Sequence, residues 1–554
     1  MSSPSPVGRL TVSLGALRAP GAAGLSFVLL NASLTFENVW PTPKIRPGWS
    51  LSIELAIAVL ALVLAGRRAG ALARRLLPAV WVVLVVGRYL AVTGPGLYGR
   101  EFNLYWDSAH LGNVAAMLAR AAPWWAVALA VAAMLLVIAV IFLLSRVAFG
   151  RIATALEHRR PRVAFGVLAA LVLLLYGLAP PREVNPHIQA DLKVGRGLTV
   201  AFAHPVTPSY ARQARFVLAA LGPRAAAAAL PPSPFLDANL RALKGADVLL
   251  VFLESYGAVT YDAPDIAGGL AASRAALETA IRDTGRRVVS AYVESPTFGA
   301  SSWLAHLSLL TGVEVRDQYA YTSLMASDRQ TILATFERRG YRTVGLMPGM
   351  RQAWPEGAFY GFDVIYGRDR LQYPGPEFGW WAVPDQWALA RLDALERARR
   401  PRAPVFAVFP TSTTHAPFGP VAPYVSDWSR LLTDQPYESP EAARALSVRP
   451  DLTNLRPSYV RALAYDFETL AGYVRQQQDD PLLIVVGDHQ PPAAVSGATA
   501  PWDVPVHVIG RNSDVLDDLL ARGFRAGLTP ARPAIAPMHA LVAMFLDAFS
   551  EPED

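Results

Sequence analysis

Several features that are common in exported proteins are absent from this chain. It contains no cysteine among its 554 residues, which excludes a disulfide framework. It shows no internal repeat and no disordered tract, which excludes a repeat architecture. A clear Ala-x-Ala cleavage site is also missing after the first apolar segment, and other apolar segments follow it. We therefore expect that first segment to stay in the protein as an uncleaved anchor.

Apolar residues are what the chain has in excess. Hydrophobic residues make up 53% of the sequence and the mean hydropathy is +0.27, which is too apolar for a soluble enzyme. The excess lies in the N-terminal third, in segments long enough to cross a bilayer, although the first two are marginal in length. The five predicted spans are residues 19–34, 51–65, 76–92, 124–144 and 163–178.

Basic residues are distributed unevenly between the loops that join these spans. Arginines cluster in the loops on one side, around residues 67–75 and 146–162, whereas the opposite loops hold few. By the positive-inside rule, the N-terminus is cytoplasmic and everything after about Pro181 lies outside. We expect a multi-pass protein of a bacterial-type cell membrane with a periplasmic or extracellular domain. The formal net charge of +7 is mostly a matter of this topology, so we infer no nucleic-acid partner.

Two ionisable residues fall within the apolar spans. Glu54 lies near the outer start of the second span and Arg88 in the outer half of the third. Charged groups are costly in hydrocarbon and commonly pair. We expect Glu54 and Arg88 to lie close together as an ion pair, the alternative being a contact with a lipid headgroup.

The C-terminal part has the pattern of an α/β fold. Apolar runs alternate with helical patterns from Asp247 onward, which predicts a mainly parallel central sheet. We therefore predict a transmembrane domain over residues 1–180, a juxtamembrane connector over 181–235 and a catalytic domain over 236–554. The predicted strands include residues 248–253, 288–293, 405–409, 482–486 and 504–509.

Two of these strands end in residues that bind hard metal ions. The first is followed by Glu254, and the fourth by Gly487, Asp488 and His489. Ligands of open α/β sheets bind outside the carboxyl ends of the strands, so these side chains could converge although more than 200 residues separate them. Either strand end taken alone is compatible with a simple turn or a helix N-cap. Together they predict a metal site.

A third element, SPTFGASSWLAHLSLLTG, predicts a loop that opens a helix. Ser301 and Ser302 would lie at the helix N-terminus, where backbone N–H groups and the helix dipole favour an anion. This position suits a hydroxyl nucleophile that attacks phosphate or sulfate and is activated by a metal ion. Ordinary helix capping is the alternative interpretation.

Together these residues resemble a family, the membrane-anchored sulfatase-like phosphotransferases of the alkaline phosphatase superfamily. It includes lipoteichoic acid synthase and the phosphoethanolamine transferases. The resemblance covers nearly the whole chain and implies a five-helix transmembrane domain followed by an alkaline-phosphatase-like domain. In that family a strand-end Glu, a loop Thr and an adjacent Asp-His pair bind the metal. The matching residues here are Glu254, Ser302, Asp488 and His489.

The chain departs from the family at several points. The expected nucleophile is Ser rather than the usual Thr. Counted from the glycine of the loop, the spacing in the phosphoethanolamine transferases favours Ser302, whereas the spacing in lipoteichoic acid synthase favours Ser301. The absence of cysteine fits the synthase better, because the transferases usually carry disulfides. True sulfatases require a Cys/Ser-x-Pro-x-Arg motif, which is missing after either serine. We therefore expect Ser302 to be the nucleophile and sulfate hydrolysis to be a minor alternative.

The resemblance also implies residues that contact the substrate. His415 lies where the family has a His-x-Pro-Phe type segment against the substrate phosphate, and an imidazole there could donate to the phosphate or protonate the leaving group. Trp354 and Arg351 match a segment that lines the glycerol phosphate pocket, with their order reversed; a core Trp beside a surface Arg is the alternative. His306, one helical turn after Ser302, either faces the site or packs against its own helix. His507 and His539 are interpreted as surface features.

The function that follows is metal-dependent phosphotransfer. Ser302 would take a phosphoglycerol or phosphoethanolamine group from a phospholipid headgroup as a covalent phosphoserine ester, and a glycan or lipid acceptor in the envelope would then receive it. The cofactor would be one divalent ion, Mn²⁺ or Zn²⁺. The alternatives are a sulfatase-like phosphodiesterase or sulfuric ester hydrolase, and a non-catalytic membrane binding module for envelope polymer assembly.

Overall fold

The chain forms two compact units, which are described separately. One comprises residues 1–96 and 100–220, and the other residues 97–99 and 221–554. The division at residue 220 falls inside the predicted connector, much of which lies outside the described residues. A computed structural model describes residues 14–39, 42–98, 104, 108, 112, 115, 123–178, 202–221, 230–234, 236–351, 354–379, 381, 383–398, 400–451, 453–497 and 499–551.

Apolar helices occupy all five predicted spans of the first unit. Three of them are long and apolar enough to cross a membrane, within Leu72–Gly94, Trp124–Ala155 and Arg159–Leu178, which supports a membrane domain. The apolar stretches Gly21–Thr35 and Ile53–Ala65 are shorter, so a total of five spans stays a prediction. Among the described residues, the α-helices of this unit are Leu14–Thr35, Ile53–Ala65, Ala69–Ala71, Leu77–Tyr98, Trp124–Ala155, Arg159–Leu178 and Thr207–Leu221. The 3-10 helix Gly66–Arg68 precedes Ala69–Ala71, and the π-helix Leu72–Leu76 leads into Leu77–Tyr98. A two-stranded sheet pairs Glu37–Asn38 (β1) with Ile45–Arg46 (β2).

Glu54 and Arg88 are both buried in this unit and bind the same short segment. Oε1 of Glu54 accepts a hydrogen bond from the backbone N–H of Val206 at 2.6 Å. The guanidinium of Arg88 donates to the carbonyl oxygens of Phe36 and of His204. Backbone groups thus satisfy much of the polarity of both side chains, and the direct ion pair stays a prediction.

The second unit is built on a mixed sheet of nine strands. Their order is β10-β4-β9-β8-β3-β7-β5-β6, with β11 paired to β4. The strands are Val248–Leu253 (β3), Arg287–Glu294 (β4), Arg342–Met347 (β5), Val364–Gly367 (β6), Val405–Pro410 (β7), Leu482–Gly487 (β8), Asp503–Gly510 (β9), Arg525–Ala526 (β10) and Ala536–Pro537 (β11).

The five predicted strands are all present, but the sheet is not parallel throughout. β3, β5, β6, β7 and β8 form a parallel block, whereas β9 pairs antiparallel with both β8 and β4. Our expectation of a mainly parallel sheet is therefore confirmed, and the antiparallel pairings of β9 with β8 and with β4 make the sheet a mixed one. An apolar run predicts a buried strand, but it carries no information on strand direction.

Helices cover both faces of the central strands. Every residue of β3 is buried; Val248, Leu250 and Phe252 join the core on one face, and the alternate residues join the core on the other. This explains the continuous apolar run, since a strand covered on both sides needs apolar residues at every position. The helices are Val259–Asp262, Pro264–Asp283, Ser302–Thr311, Gln318–Met325, Ile332–Arg338, Gly357–Tyr360, Arg368–Leu371, Asp385–Leu392, Pro440–Ser447, Arg456–Gln476, Ala493–Ser496, Ser513–Ala521 and Leu541–Ala548.

Candidate metal centre and active site

Three predicted metal ligands lie together at the carboxyl edge of the sheet. β3 and β8 are paired in parallel along their length, so Glu254 and Asp488 follow neighbouring strand ends. Gly487 permits the close approach, because a Cβ atom there would lie 1.8 Å from the carbonyl oxygen of Tyr256. Glu254, Asp488 and His489 are buried, and one ligand atom from each lies within 4.8 Å of the others. This group could hold a metal ion.

Ser302 begins the helix Ser302–Thr311 and reaches the same point. Its Oγ donates to Oε2 of Glu254 at 2.9 Å and lies 3.1 Å from Nε2 of His489. Nδ1 of His489 must donate to the carbonyl oxygen of Gln490, 2.7 Å away, because a carbonyl only accepts. The lone pair of a neutral His489 is therefore on Nε2, on the side of the serine hydroxyl.

The neighbouring serine, Ser301, has an unusual backbone conformation. Ser301 is the N-cap of the helix with φ 68° and ψ 41°, and its side chain accepts no capping hydrogen bond. Ser255, which follows Glu254, also has a positive φ of 57°. A non-glycine residue in this region costs on the order of 1 kcal/mol and is typically retained where function requires the geometry. Ordinary helix capping by Ser301 or Ser302 does not explain the positive φ of both Ser301 and Ser255.

The two carboxylate oxygens of Asp488 have unlike surroundings. Oδ1 accepts hydrogen bonds from the backbone N–H groups of Ser255 at 2.8 Å and of His489 at 2.7 Å. Oδ2 is buried without a hydrogen-bond partner, and it lies 3.7 Å from Nε2 of His489 and 3.8 Å from Nε2 of His306. Leaving a buried polar atom unsatisfied costs about 1–3 kcal/mol or more. The unpartnered Oδ2 thus fits a metal-binding atom.

The electrostatics of the two carboxylates support the same conclusion. Burial, and then the neighbouring Asp488, raise the pKa of Glu254 well above its usual range. Burial acts in the same direction on Asp488, but His489 and then His306 hold the pKa of Asp488 below its usual value. A divalent cation would offset both buried negative charges. Carboxylate and hydroxyl oxygens with one imidazole nitrogen are a suitable donor set for such a cation.

His306 both faces this group and packs against the sheet. Its Nε2 lies 3.8 Å from Oδ2 of Asp488, and its ring centroid lies 4.2 Å from that of Phe252 in β3. The sequence leaves two alternatives for His306, a position facing the site and packing against its own helix. The side chain points to the site, and its packing partner is the sheet.

His415 lies in the loop after β7. Its Nδ1 donates to the carbonyl oxygen of Ala416 at 2.8 Å, so a neutral ring carries its lone pair on Nε2. Burial lowers the pKa of His415, and the nearby His489 acts in the same direction. The rings of His415 and Trp381 meet nearly at a right angle, with centroids 5.1 Å apart. Trp381 also covers Gly349, where a Cβ atom would lie 2.7 Å from the indole.

The two residues predicted to line the glycerol phosphate pocket, Trp354 and Arg351, each contact a different residue. Trp354 packs against Tyr360, with ring centroids 4.9 Å apart, at the border of the apolar core. Arg351 lies 3.6 Å from the carboxylate of Glu377.

Sequence reasoning missed Trp381, an aromatic residue in contact with His415, because it follows no strand end and belongs to no motif.

The interpretation of His507 as a surface residue is wrong. The residue is 3% exposed, and its ring joins the hydroxyls of Ser290 at 2.6 Å and Tyr256 at 2.9 Å. Burial lowers the pKa of His507 to about 3, so the ring is neutral. Through its hydrogen bond with Tyr256, His507 stabilises the segment that follows Glu254.

Comparisons with known proteins give distant matches. No protein-family model and no curated protein matches the chain. The chain is similar to several solved structures, transferases among them. The integral membrane lipooligosaccharide phosphoethanolamine transferase from Neisseria meningitidis is 15% identical, with 88% of each chain covered and a TM-score of 0.41. The lipoteichoic acid synthase from Listeria monocytogenes is 14% identical over 51% of this chain and 68% of its own, with a TM-score of 0.32.

A phosphoglycerol transferase from Streptococcus pyogenes, in complex with sn-glycerol-1-phosphate, is 12% identical over 56% of this chain and 88% of its own, with a TM-score of 0.32. At such identities and TM-scores these similarities carry no argument about the reaction. The case for a function rests on the residues of the site.

Proposed function

We propose that this protein is a metal-dependent phosphotransferase that moves a phosphoglycerol or phosphoethanolamine group from a phospholipid to an envelope glycan or lipid. The observation that carries the proposal is the position of Ser302. Its hydroxyl lies within hydrogen-bond distance of Glu254 and His489 at the N-terminus of a helix. The two candidate groups come from the family resemblance.

The residues that would hold the metal are Glu254, Ser302, Asp488 and His489. Their donor set admits Mn²⁺ or Zn²⁺. When bound, such an ion acts as a Lewis acid and lowers the pKa of a coordinated hydroxyl. The unpartnered Oδ2 of Asp488 and the raised pKa of Glu254 support binding of a cation here.

Ser302 is the proposed nucleophile. Its Oγ forms a bond to phosphorus as the bond from phosphorus to the diacylglycerol oxygen breaks, and the serine proton ends on the departing diacylglycerol. In the second half-reaction an acceptor hydroxyl forms the new bond to phosphorus, the Oγ–phosphorus bond breaks, and the acceptor proton returns to Ser302. The helix N-terminus favours the negative phosphoryl group throughout.

His415 is proposed to carry these protons at Nε2. Its lowered pKa keeps the ring neutral, and because Nδ1 donates to the carbonyl oxygen of Ala416, the free Nε2 is the atom that would accept a proton from the incoming hydroxyl. We assign Ser301, His306, Arg351 and Trp354 to the walls that bind the substrate. His306 is supported in this by its orientation toward Asp488.

The proposed setting is the outer face of a cell membrane. Residues 1–180 would anchor the protein, 181–235 would connect, and 236–554 would act on headgroups from the periplasmic or extracellular side. The apolar helices of the first unit support the membrane location. The donor is then a lipid of the same bilayer.

The direct experiment follows diacylglycerol release from labelled phosphatidylglycerol and phosphatidylethanolamine by the full-length protein in detergent with Mn²⁺ or Zn²⁺. Ser302→Ala is expected to abolish release, whereas the matched Ser301→Ala keeps measurable release. The preferred lipid identifies the transferred group. Equal loss in both variants would contradict the assignment of the nucleophile.

Adding an acceptor glycan to the same assay separates transfer from hydrolysis. The proposal predicts a labelled acceptor product whose yield rises with acceptor concentration. Release of the free headgroup phosphate alone, at any acceptor concentration, would instead indicate a phosphodiesterase. No turnover with either lipid and either metal would contradict the proposed function.

A further inference from the structure

Two buried carboxylates lie beside the loop that carries His415. Asp385 is the first residue of the helix Asp385–Leu392 and is 1% exposed, and Asp466, in the helix Arg456–Gln476, is 2% exposed. Asp385 accepts hydrogen bonds from the backbone N–H groups of Ser412 at 2.8 Å and Thr413 at 2.7 Å. Both of its oxygens are therefore in use as acceptors.

Asp466 holds the next residue of the same loop. Its Oδ2 accepts a hydrogen bond from Oγ1 of Thr414 at 3.2 Å, while its Oδ1 is buried without a hydrogen-bond partner. Three consecutive residues before His415 are thus held by the two acids. The other end of the loop is tied to the metal centre, because Oγ1 of Thr411 accepts from the backbone N–H of Glu254 at 3.0 Å.

The two acids are close enough to oppose each other's ionisation. Burial, and then the charge of Asp385, raise the pKa of Asp466 well above its usual range. Burial also raises the pKa of Asp385, although its hydrogen bonds with Thr413 and Ser412 offset part of that effect. Tyr437 and Tyr465 face the pair as well, and burial raises the pKa of both phenols, which keeps them neutral.

We propose that Asp466 carries a proton on Oδ1 and donates it to the ionised carboxylate of Asp385, so that the pair acts as one unit that positions the His415 loop. The unpartnered Oδ1 is the place for this proton. A shared proton leaves one negative charge, which the N–H groups of residues 412 and 413 stabilise. Asp385 and Asp466 are positioning residues that act through His415.

The two acids have different roles in this proposal, since Asp466 is the protonated donor and Asp385 the ionised acceptor. Asp466→Asn keeps a donor toward Asp385 and an oxygen toward Thr414, so it imitates the protonated acid. Asp385→Asn replaces an acceptor oxygen with an amide NH₂ that cannot accept from the loop. The first substitution should leave the loop in place, and the second should displace it.

The test is infrared difference spectroscopy of the metal-loaded, full-length protein, wild type minus Asp466→Asn. We expect the C=O stretch of a protonated carboxylic acid in the wild type and its loss in the variant. This measurement depends neither on turnover nor on the folding of Asp385→Asn. An unchanged spectrum would overturn the proposal, and so would elemental analysis that finds a second metal ion lost in Asp466→Asn.

Turnover provides the second readout and rests on the proposed function. Asp466→Asn should retain turnover within about twofold, whereas Asp385→Asn should lower kcat by roughly 10²-fold through misplacement of His415. Equal losses in the two variants would overturn the inequality and the proposal with it. A wild type that shows the acid band but no phosphotransfer would support the pair and refute the proposed function, so the two failures are distinguishable.

Discussion

A buried acid flanks each end of strand β3, and the two acids differ in how their negative charge is compensated. Asp247 precedes the strand and accepts hydrogen bonds from Arg397, from Arg402 and from the backbone N–H of Val405, at 2.6–2.8 Å. Although burial opposes ionisation, Arg402 and Arg397 hold the pKa of Asp247 below its usual value. This end of the sheet is compensated within the chain.

The other end of β3 lacks this compensation. Glu254 accepts hydrogen bonds from the hydroxyls of Ser302 and Ser255. Burial, and then the neighbouring buried acid Asp488, raise the pKa of Glu254. Burial of uncompensated charge destabilises a fold unless a partner from outside supplies the missing charge. The end of the sheet with the internally compensated Asp247 is therefore a structural edge, whereas the end with Glu254 is the edge for which we propose a function.

The largest expected effect is on turnover at the functional edge. Asp488→Asn removes the charge of a proposed metal ligand, and we expect kcat to fall on the order of 10⁴-fold. Metal content, measured per chain by elemental analysis, should fall in parallel, with the circular dichroism spectrum unchanged. Full metal content with full activity would remove Asp488 from the site.

At the structural edge the effect falls on stability instead. Asp247→Asn leaves Arg397 and Arg402 buried with less compensation, and we expect a loss of about 3 kcal/mol in the free energy of unfolding. Denaturant unfolding of the second unit within the full-length protein measures this loss. Bound metal should be retained at low temperature, and a variant that loses metal but keeps its stability would reverse the comparison.

The pH dependence of stability should also differ with metal. Since the folded-state pKa of Glu254 is raised, its stabilising contribution is fully present below the usual carboxyl range and is lost as pH rises through the folded pKa. We expect the Tm of metal-free protein to fall with pH over this window, and Glu254→Gln or saturating metal to flatten that dependence. Identical pH profiles for wild type and Glu254→Gln would contradict this.

The smallest predicted effect concerns the wall beside His415. Trp381→Leu removes an aromatic edge contact worth about 1 kcal/mol, so we expect kcat/KM to fall about fivefold. The control is Trp428→Phe, a conservative change of a buried indole that packs against Tyr473. Steady-state kinetics should show no change for the control, and equal effects would remove Trp381 from the wall.

The ligand edge was predictable from sequence because its signals are local. An apolar run followed by Glu254, and another followed by Asp488 and His489, each predict a strand end, and parallel neighbours bring such ends together. The SPTFGASSW loop likewise predicts the helix that begins at Ser302.

What could not be predicted depends on distant partners. The antiparallel pairing of β4 and β9 leaves no mark on either apolar run. Asp385 and Asp466 come from separate helices, and neither lies in a recognisable motif. Trp381 meets His415 through the loops that carry them, and the left-handed backbone of Ser301 is imposed by tertiary structure.

The central claim is that Ser302 carries the transferred group, and mass spectrometry after acid quenching tests it most directly. Metal-loaded protein is incubated with phosphatidylglycerol or phosphatidylethanolamine without acceptor, digested, and analysed for modified peptides. We predict a phosphoglycerol or phosphoethanolamine ester on Ser302 that disappears when acceptor is added. Turnover with no adduct, or with the adduct on Ser301, would contradict the account.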